Sequence, residues 1–142
     1  MIKRAAAVII KDGEVLLMRR VKAGEEYYTF PGGTVEPGES PEAAAIRELE
    51  EEFCIQIDID RFLFEAYADE RRSYHFLVSG FTGTPTLGGE ELRHMTEHNQ
   101  YHPAWVPLAD IPEMMNFHPE EARQKFESIL SSLHGPAIWN HS

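Results

Sequence analysis

Between residues 31 and 55 the chain gathers groups that could hold a metal ion and act on whatever the metal binds. The run begins Pro31-Gly32-Gly33 and continues through Glu36 and Glu39 to Arg47-Glu48-Leu49-Glu50-Glu51-Glu52. Glu36, Glu39, Glu42, Glu48, Glu50, Glu51 and Glu52 all fall within 17 residues. A charge run is ordinarily a solvated helix face, but the spacing here says more. On a helix advancing roughly 100° per residue, Glu48, Glu51 and Glu52 share an arc about 100° wide. Ala45, Ile46, Leu49 and Phe53 take the neighbouring arc. One side of such a helix is buried, and three carboxylates project from its edge. Three like charges so close weaken an isolated helix and raise one another's pKa. A bound divalent cation resolves the repulsion, and an all-oxygen donor set suits magnesium, with manganese as the alternative. The glycine pair permits a tight turn that brings a backbone carbonyl to face these carboxylates.

The elements that must position these groups can be read along the chain. Lys3 to Ile10 and Val15 to Met18 read as strands joined by the hairpin signal Asp12-Gly13. Gly24 to Glu26 read as a loop, and Tyr28-Thr29-Phe30 as a short strand running into the glycine turn. Ser40 is the N-cap of a helix with Pro41 at its first position, extending to about Phe53. Two longer strands follow, Ile55 to Tyr67 and Ser73 to Phe81, joined by a charged turn from Asp69 to Arg72. Glu90 to Tyr101 reads as a loop or short helix, Ala104 to Val106 as a late strand. Glu120 to Leu133 has the apolar period of an amphipathic helix, with Ala122, Phe126, Ile129, Leu130 and Leu133 on one face. The order of elements predicts an α/β/α sandwich, a mixed β-sheet between helices, and one domain over residues 1–142.

Bulk composition narrows the classes. Hydrophobic residues are 42% and charged residues 26%, a globular balance, and no apolar run approaches the roughly 18 residues of a membrane span. The opening Met-Ile-Lys-Arg and its short apolar run end at Lys11-Asp12-Gly13, too early for a signal peptide, which leaves a first strand. One cysteine, Cys54, excludes an internal disulfide and a cysteine-rich zinc site, pointing to the cytoplasm. Twenty-four acidic residues against 13 basic ones give a net charge of −11, which repels a nucleic-acid backbone.

The stretch from Gly33 to Ile55 resembles the Nudix box: Gly, five residues, Glu, seven residues, Arg-Glu, an aliphatic, any residue, Glu-Glu, any residue, Gly, an aliphatic. Gly33, Glu39, Arg47, Glu48, Leu49, Glu51, Glu52 and Ile55 stand at matching positions. Cys54 stands where the pattern has glycine, just past the helix end, where a left-handed turn is easiest for Gly; no ligand is lost. The resemblance implies a Nudix hydrolase fold and metal-dependent hydrolysis of the diphosphate linkage of a nucleoside diphosphate derivative. It implies Glu48, Glu51 and Glu52 as metal ligands, the Gly32 carbonyl as a backbone ligand, and Glu39 as a ligand or a support to one. Arg47 would pair with the catalytic carboxylates. Family members place the general base either on the box helix or on a distant loop. Here those are Glu48 and Glu97, with Glu90 and Glu91 behind the latter.

By the same resemblance the partner is a small nucleotide, a homodimer is a family expectation, and no nucleic acid or membrane is involved. Zinc-ribbon relatives that cleave NADH are excluded by the single cysteine. ADP-ribose-cleaving relatives often carry a proline where this chain has Glu70, and Tyr74 comes just too late for the dinucleoside-polyphosphate pattern. A nucleoside triphosphate is left, cut in the manner of MutT to a nucleoside monophosphate and pyrophosphate. The alternative substrate is ADP-ribose or another nucleotide sugar; the alternative function is a silent nucleotide-binding sensor. Phosphate contacts are expected from Arg19, Arg20 and Lys22 at the end of the second strand, and further substrate contacts from Tyr28 and Gly33, with the nucleoside toward Tyr28 and Trp105. His94, His98 and His102 recur every four residues, yet their neighbours Asn99, Gln100 and Pro103 read as a polar loop.

Overall fold

The computed structural model describes residues 1–133, and the side chains of all of these except Glu90 and Glu91. Strand β1 (Ile2–Val8) is followed by the short β2 (Ile10–Lys11) and by β3 (Glu14–Lys22). β2 and β3 are joined through Asp12-Gly13, both at positive φ, as a two-residue hairpin requires. A second such turn at Ala23-Gly24, again with both φ positive, leads into β4 (Glu25–Thr29). Glu25 and Glu26, expected in a loop, are thus strand residues, because the turn needs only two positions. β5 (Gly32–Thr34) precedes helix α1 (Pro41–Phe53), which is followed by β6 (Gln56–Ala68) and β7 (Arg71–Thr82). A short helix α2 (Gly89–Arg93), strand β8 (Asn99–Pro107) and helix α3 (Glu120–Ile129) follow.

The strands divide between two sheets. One has the order β5-β1-β7-β6, with β1 and β7 parallel and the other pairs antiparallel; the other joins β2, β3 and β4, with β8 on the free side of β3. β8 is nine residues long, where only Ala104 to Val106 were expected. Its first half (Asn99 to Pro103) is polar and bends no sequence rule toward strand; pairing along all of β3 holds it extended.

The apolar run Ala5 to Ile10 is buried throughout, because β1 is covered on both faces. Ala6 and Val8 join Val15, Leu17, Phe30, Leu77 and Phe126 in one core, on the α3 side. Ala7 and Ile9 join Leu16, Met18, Leu49, Phe53 and Val78 in another, on the α1 side. Successive residues of β1 and β3 therefore serve opposite cores, which is the alternation a pleated strand imposes. The apolar arc of α1 packs on the β1, β5 and β6 side, and its carboxylate edge lies beside Gly33 and Gly89.

Candidate active site

Helix α1 is built from local signals at both ends. The Ser40 hydroxyl accepts from the Ala43 N–H at 3.1 Å, and Pro41 occupies the first turn, where its missing N–H goes unneeded. At the other end Cys54 adopts φ 59°, ψ 32°, and its N–H and that of Ile55 close on Glu50 and Leu49 carbonyls. The segment before α2 then covers two further carbonyls: the Thr86 and Gly88 N–H groups donate to Phe53 and Glu52 at 3.0 and 2.8 Å. The helix end is thereby held rigidly where its carboxylates are needed.

Glu48, Glu51 and Glu52 bring carboxylate oxygens within 4.8 Å of one another. Glu52 is buried and Glu51 half exposed. Two glycines leave the space these groups occupy. A Cβ on Gly33 would overlap the Glu48 carboxylate, and one on Gly89 would stand 2.6 Å from a Glu52 oxygen. Gly89 also has φ +60°, a conformation open to glycine at little cost.

Arg47 organises the cluster. Its Nε and Nη2 donate to the two oxygens of Glu39 at 2.7 and 3.0 Å, and Nη2 also donates to the Thr34 carbonyl at 3.0 Å. Its Nη1 donates to Glu48 at 2.9 Å and Glu51 at 3.1 Å. One guanidinium thus ties the loop before α1 to two carboxylates of the cluster. The Arg47 hydrogen bonds, with one from the Glu36 backbone, hold the Glu39 carboxyl below the usual carboxylate range. Burial pushes Glu48 up, with Glu52 and Glu51 adding to the effect and Arg47 opposing it. Glu39 stands outside the three-carboxylate cluster. Of the two roles expected of it, ligand or support to one, its geometry here is that of a support: Arg47 engages both its oxygens, and a guanidinium fork matches a whole carboxylate.

The cluster opens into a cleft of about 460 Å³. Glu36, Glu48 and Glu52 line it together with Arg4, Arg20 and Arg71, and with the rings of Tyr27, Tyr101, His94 and His118. Gly32 and Gly33 line it too, and the Gly32 carbonyl lies 3.4 Å from Arg4 Nη2. Arg20 is fixed against an aromatic wall: its guanidinium sits 4.1 Å from the Tyr101 ring centroid and bonds the Tyr27 hydroxyl at 3.1 Å and Asn99 Oδ1 at 2.6 Å.

Arg19 and Tyr28 do not line this cleft. In the β3–β4 register Arg19 faces Tyr28 and Arg20 faces Tyr27, so each pair shares a face and the two faces are opposite. Arg19 pairs with Glu26 at 2.7 Å, and Tyr28 packs on the α3-side core. Trp105 lies away from the cleft, 6.1 Å from the Phe81 ring. Glu97 is exposed in the turn closed by Thr96 and Asn99, outside the cleft lining. Glu90 and Glu91 lie outside the described side chains. The three histidines separate: His94 follows α2, His98 is in a turn and His102 is in β8, bonded to Gln100. Arg4, Arg71, Tyr101 and His118 carry no local motif; only long-range pairing brings them here.

Comparison with known proteins agrees with this architecture. The model of the NUDIX domain matches residues 1–126. The 8-oxo-dGTP diphosphatase of Haemophilus influenzae is 33% identical over 119 residues, 74% of this chain and 87% of that protein. The CTP pyrophosphohydrolase of Escherichia coli is 38% identical over 65 residues, 44% of this chain; the match spans 48% of that protein's length. A MutT structure from work on Aliivibrio salmonicida and Vibrio cholerae superposes with a TM-score of 0.71 at 28% identity, covering 93% of this chain and 98% of that one.

Proposed function

We propose that this chain, which belongs to the NUDIX family and is a hydrolase acting on pyrophosphate bonds, cuts a nucleoside triphosphate to a nucleoside monophosphate and pyrophosphate. The observation that carries the reading is one cleft with two kinds of wall. Glu48 and Glu52 of the three clustered carboxylates line the cleft, and so do three arginines and two tyrosines. The first suits a cation and the second a polyanion bearing a base.

The donor set fits a divalent metal. Its oxygens converge, burial and mutual repulsion strain Glu48 toward the protonated form, and a cation relieves both. Glu48, Glu51 and Glu52 would hold magnesium, with the Gly32 carbonyl as a backbone donor at the cleft floor. When bound, the metal neutralises the diphosphate and lowers the pKa of a water. Arg47 keeps the Glu48 and Glu51 rotamers set by donating to both. Glu48 is the general base of this reading, because it stands in the cleft, whereas Glu97, the other candidate, does not line it. Tyr27, Tyr101 and the Arg20 guanidinium provide the flat surface for the nucleoside.

A sensor that only binds would gain nothing from three mutually repelling carboxylates clamped in place. The same reading puts the enzyme in the cytoplasm and treats residues 1–142 as one domain; no described helix is long and apolar enough to cross a membrane. The test is a panel of nucleoside triphosphates and ADP-ribose with magnesium, run in water labelled with heavy oxygen. Monophosphate and pyrophosphate, with the label in one product only, are expected. Orthophosphate release would overturn the proposed bond, turnover of ADP-ribose alone would overturn the proposed substrate, and binding without turnover would favour the sensor.

A further inference from the structure

Two arginines stand together at the rim of the carboxylate cluster. β1 and β7 run parallel with Ile2 opposite Arg71 and Arg4 opposite Ser73. Arg4 and Arg71 are therefore offset by two residues on one face of adjacent strands. Both line the cleft with Glu48 and Gly32. Arg47 engages its surrounding carboxylates directly; among the described residues neither Arg4 nor Arg71 has a carboxylate within 4.0 Å. The contact of Arg4 with the Gly32 carbonyl, at 3.4 Å, is long and occupies one of five donors. Burial and the neighbouring Arg71 press the Arg4 guanidinium toward a lower pKa, against the pull of Glu48. Two like charges held together, one of them half buried, are a liability to the fold that an anion would remove.

We propose that Arg4 and Arg71 form a seat for a phosphate group beyond the linkage held at the carboxylate cluster, and that this seat selects nucleoside triphosphates over nucleoside diphosphates capped by a sugar. The proposal deepens the reading of the cluster as the place where a diphosphate is cut, and rests on it. A terminal phosphate carries a charge of about −1.5 to −2 near pH 7 and three acceptor oxygens. Paired guanidinium forks match those oxygens in both charge and geometry. A sugar in the same place offers neutral hydroxyls and leaves the repulsion between the arginines in force. The seat also explains how a chain of net charge −11 admits a polyanion, since two local cations focus the field within the cleft.

The first arm of the test needs no catalysis. Binding of inorganic triphosphate to the full chain is measured by calorimetry in EDTA, for wild type, Arg4→Met, Arg71→Met and Arg4→Lys. Each methionine variant should bind at least about tenfold more weakly, and lysine, keeping the charge without the fork, should recover part of the loss. Equal binding by wild type and both methionine variants overturns the seat. Should Arg4→Met not fold, by circular dichroism, Arg71→Met and Arg4→Lys carry the comparison. In the second arm, steady-state kinetics with magnesium compare a nucleoside triphosphate with ADP-ribose. KM for the triphosphate should rise about tenfold more than KM for ADP-ribose in Arg4→Met; an equal rise for both overturns the selectivity. If no nucleotide is turned over while metal-free binding still falls in the variants, the hydrolase reading fails and the seat stands.

Discussion

Arg47 and Glu48 are sequence neighbours, and adjacent helix residues do not ordinarily face each other. Here they meet because Arg47 folds back toward the loop, where Glu39 anchors two of its nitrogens and leaves Nη1 for Glu48 and Glu51. Glu39 thus acts through Arg47 on carboxylates it does not touch. Glu52 differs from its neighbours in being buried at 5% exposure while still lining the cleft. Glu52→Gln should lower turnover by roughly a hundredfold or more, through loss of a charged metal ligand. Steady-state rates at saturating magnesium check this, with circular dichroism to show that the fold persists; wild-type rates would remove the helix from the mechanism. Gly33→Ala should lower turnover by about tenfold or more and weaken magnesium binding, because the new methyl displaces the Glu48 carboxylate. Unchanged magnesium affinity by calorimetry would show that the carboxylate has room to move.

At the scale of the element, α1 is an ordinary helix in its caps and an unusual one in its charge. Its carboxylate edge opposes folding, and packing of Ala44, Ala45, Leu49 and Phe53 offsets that. Cys54 adds a second strain, since a left-handed residue with a Cβ is disfavoured by about 1 kcal/mol relative to glycine. Cys54→Gly should be neutral or stabilising by up to about 1 kcal/mol, with turnover unchanged, because the thiol is exposed and no carboxylate depends on it. Chemical denaturation measures the difference. A clear loss of stability would mean that the contact of the Cys54 sulfur with the Gly88 segment, which a Gly88 Cβ would meet at 3.0 Å, outweighs the backbone strain.

At the scale of the whole molecule, a titratable group among the described residues sits between the aromatic rings of the core. His75, on β7, is buried between the Phe64 ring, stacked at 4.5 Å, and Phe30, edge-on at 5.3 Å. Burial lowers its pKa to about 3, with the backbone at Ser73 and Phe64 opposing and Arg4 adding to the fall. The unfolded chain takes up this proton near the ordinary histidine value, about 6.5, while the folded chain does not. Stability is therefore present above pH 6.5 and lost as pH falls from there toward 3, at up to about 1.4 kcal/mol per pH unit. Denaturation series at pH 7.5, 6 and 5 should show this slope, and His75→Phe should flatten it; an equal slope in the variant would assign the loss to the carboxylates. The sequence alone determined helix α1, its Ser40 and Pro41 start, the Asp12-Gly13 hairpin and the shared arc of Glu48, Glu51 and Glu52. Each of these follows from geometry repeating within a few residues. What only the tertiary structure decided is which residues meet those carboxylates. Arg20 and Tyr27 face the cleft in place of Arg19 and Tyr28 because strand parity is set by pairing and burial, and a shift of one residue exchanges the faces. Arg4 and Arg71 come together through parallel pairing of strands distant in sequence, and Glu39 is anchored by an arginine fork. No local pattern encodes such meetings, since they arise from the register of one sheet and the packing of a helix upon it.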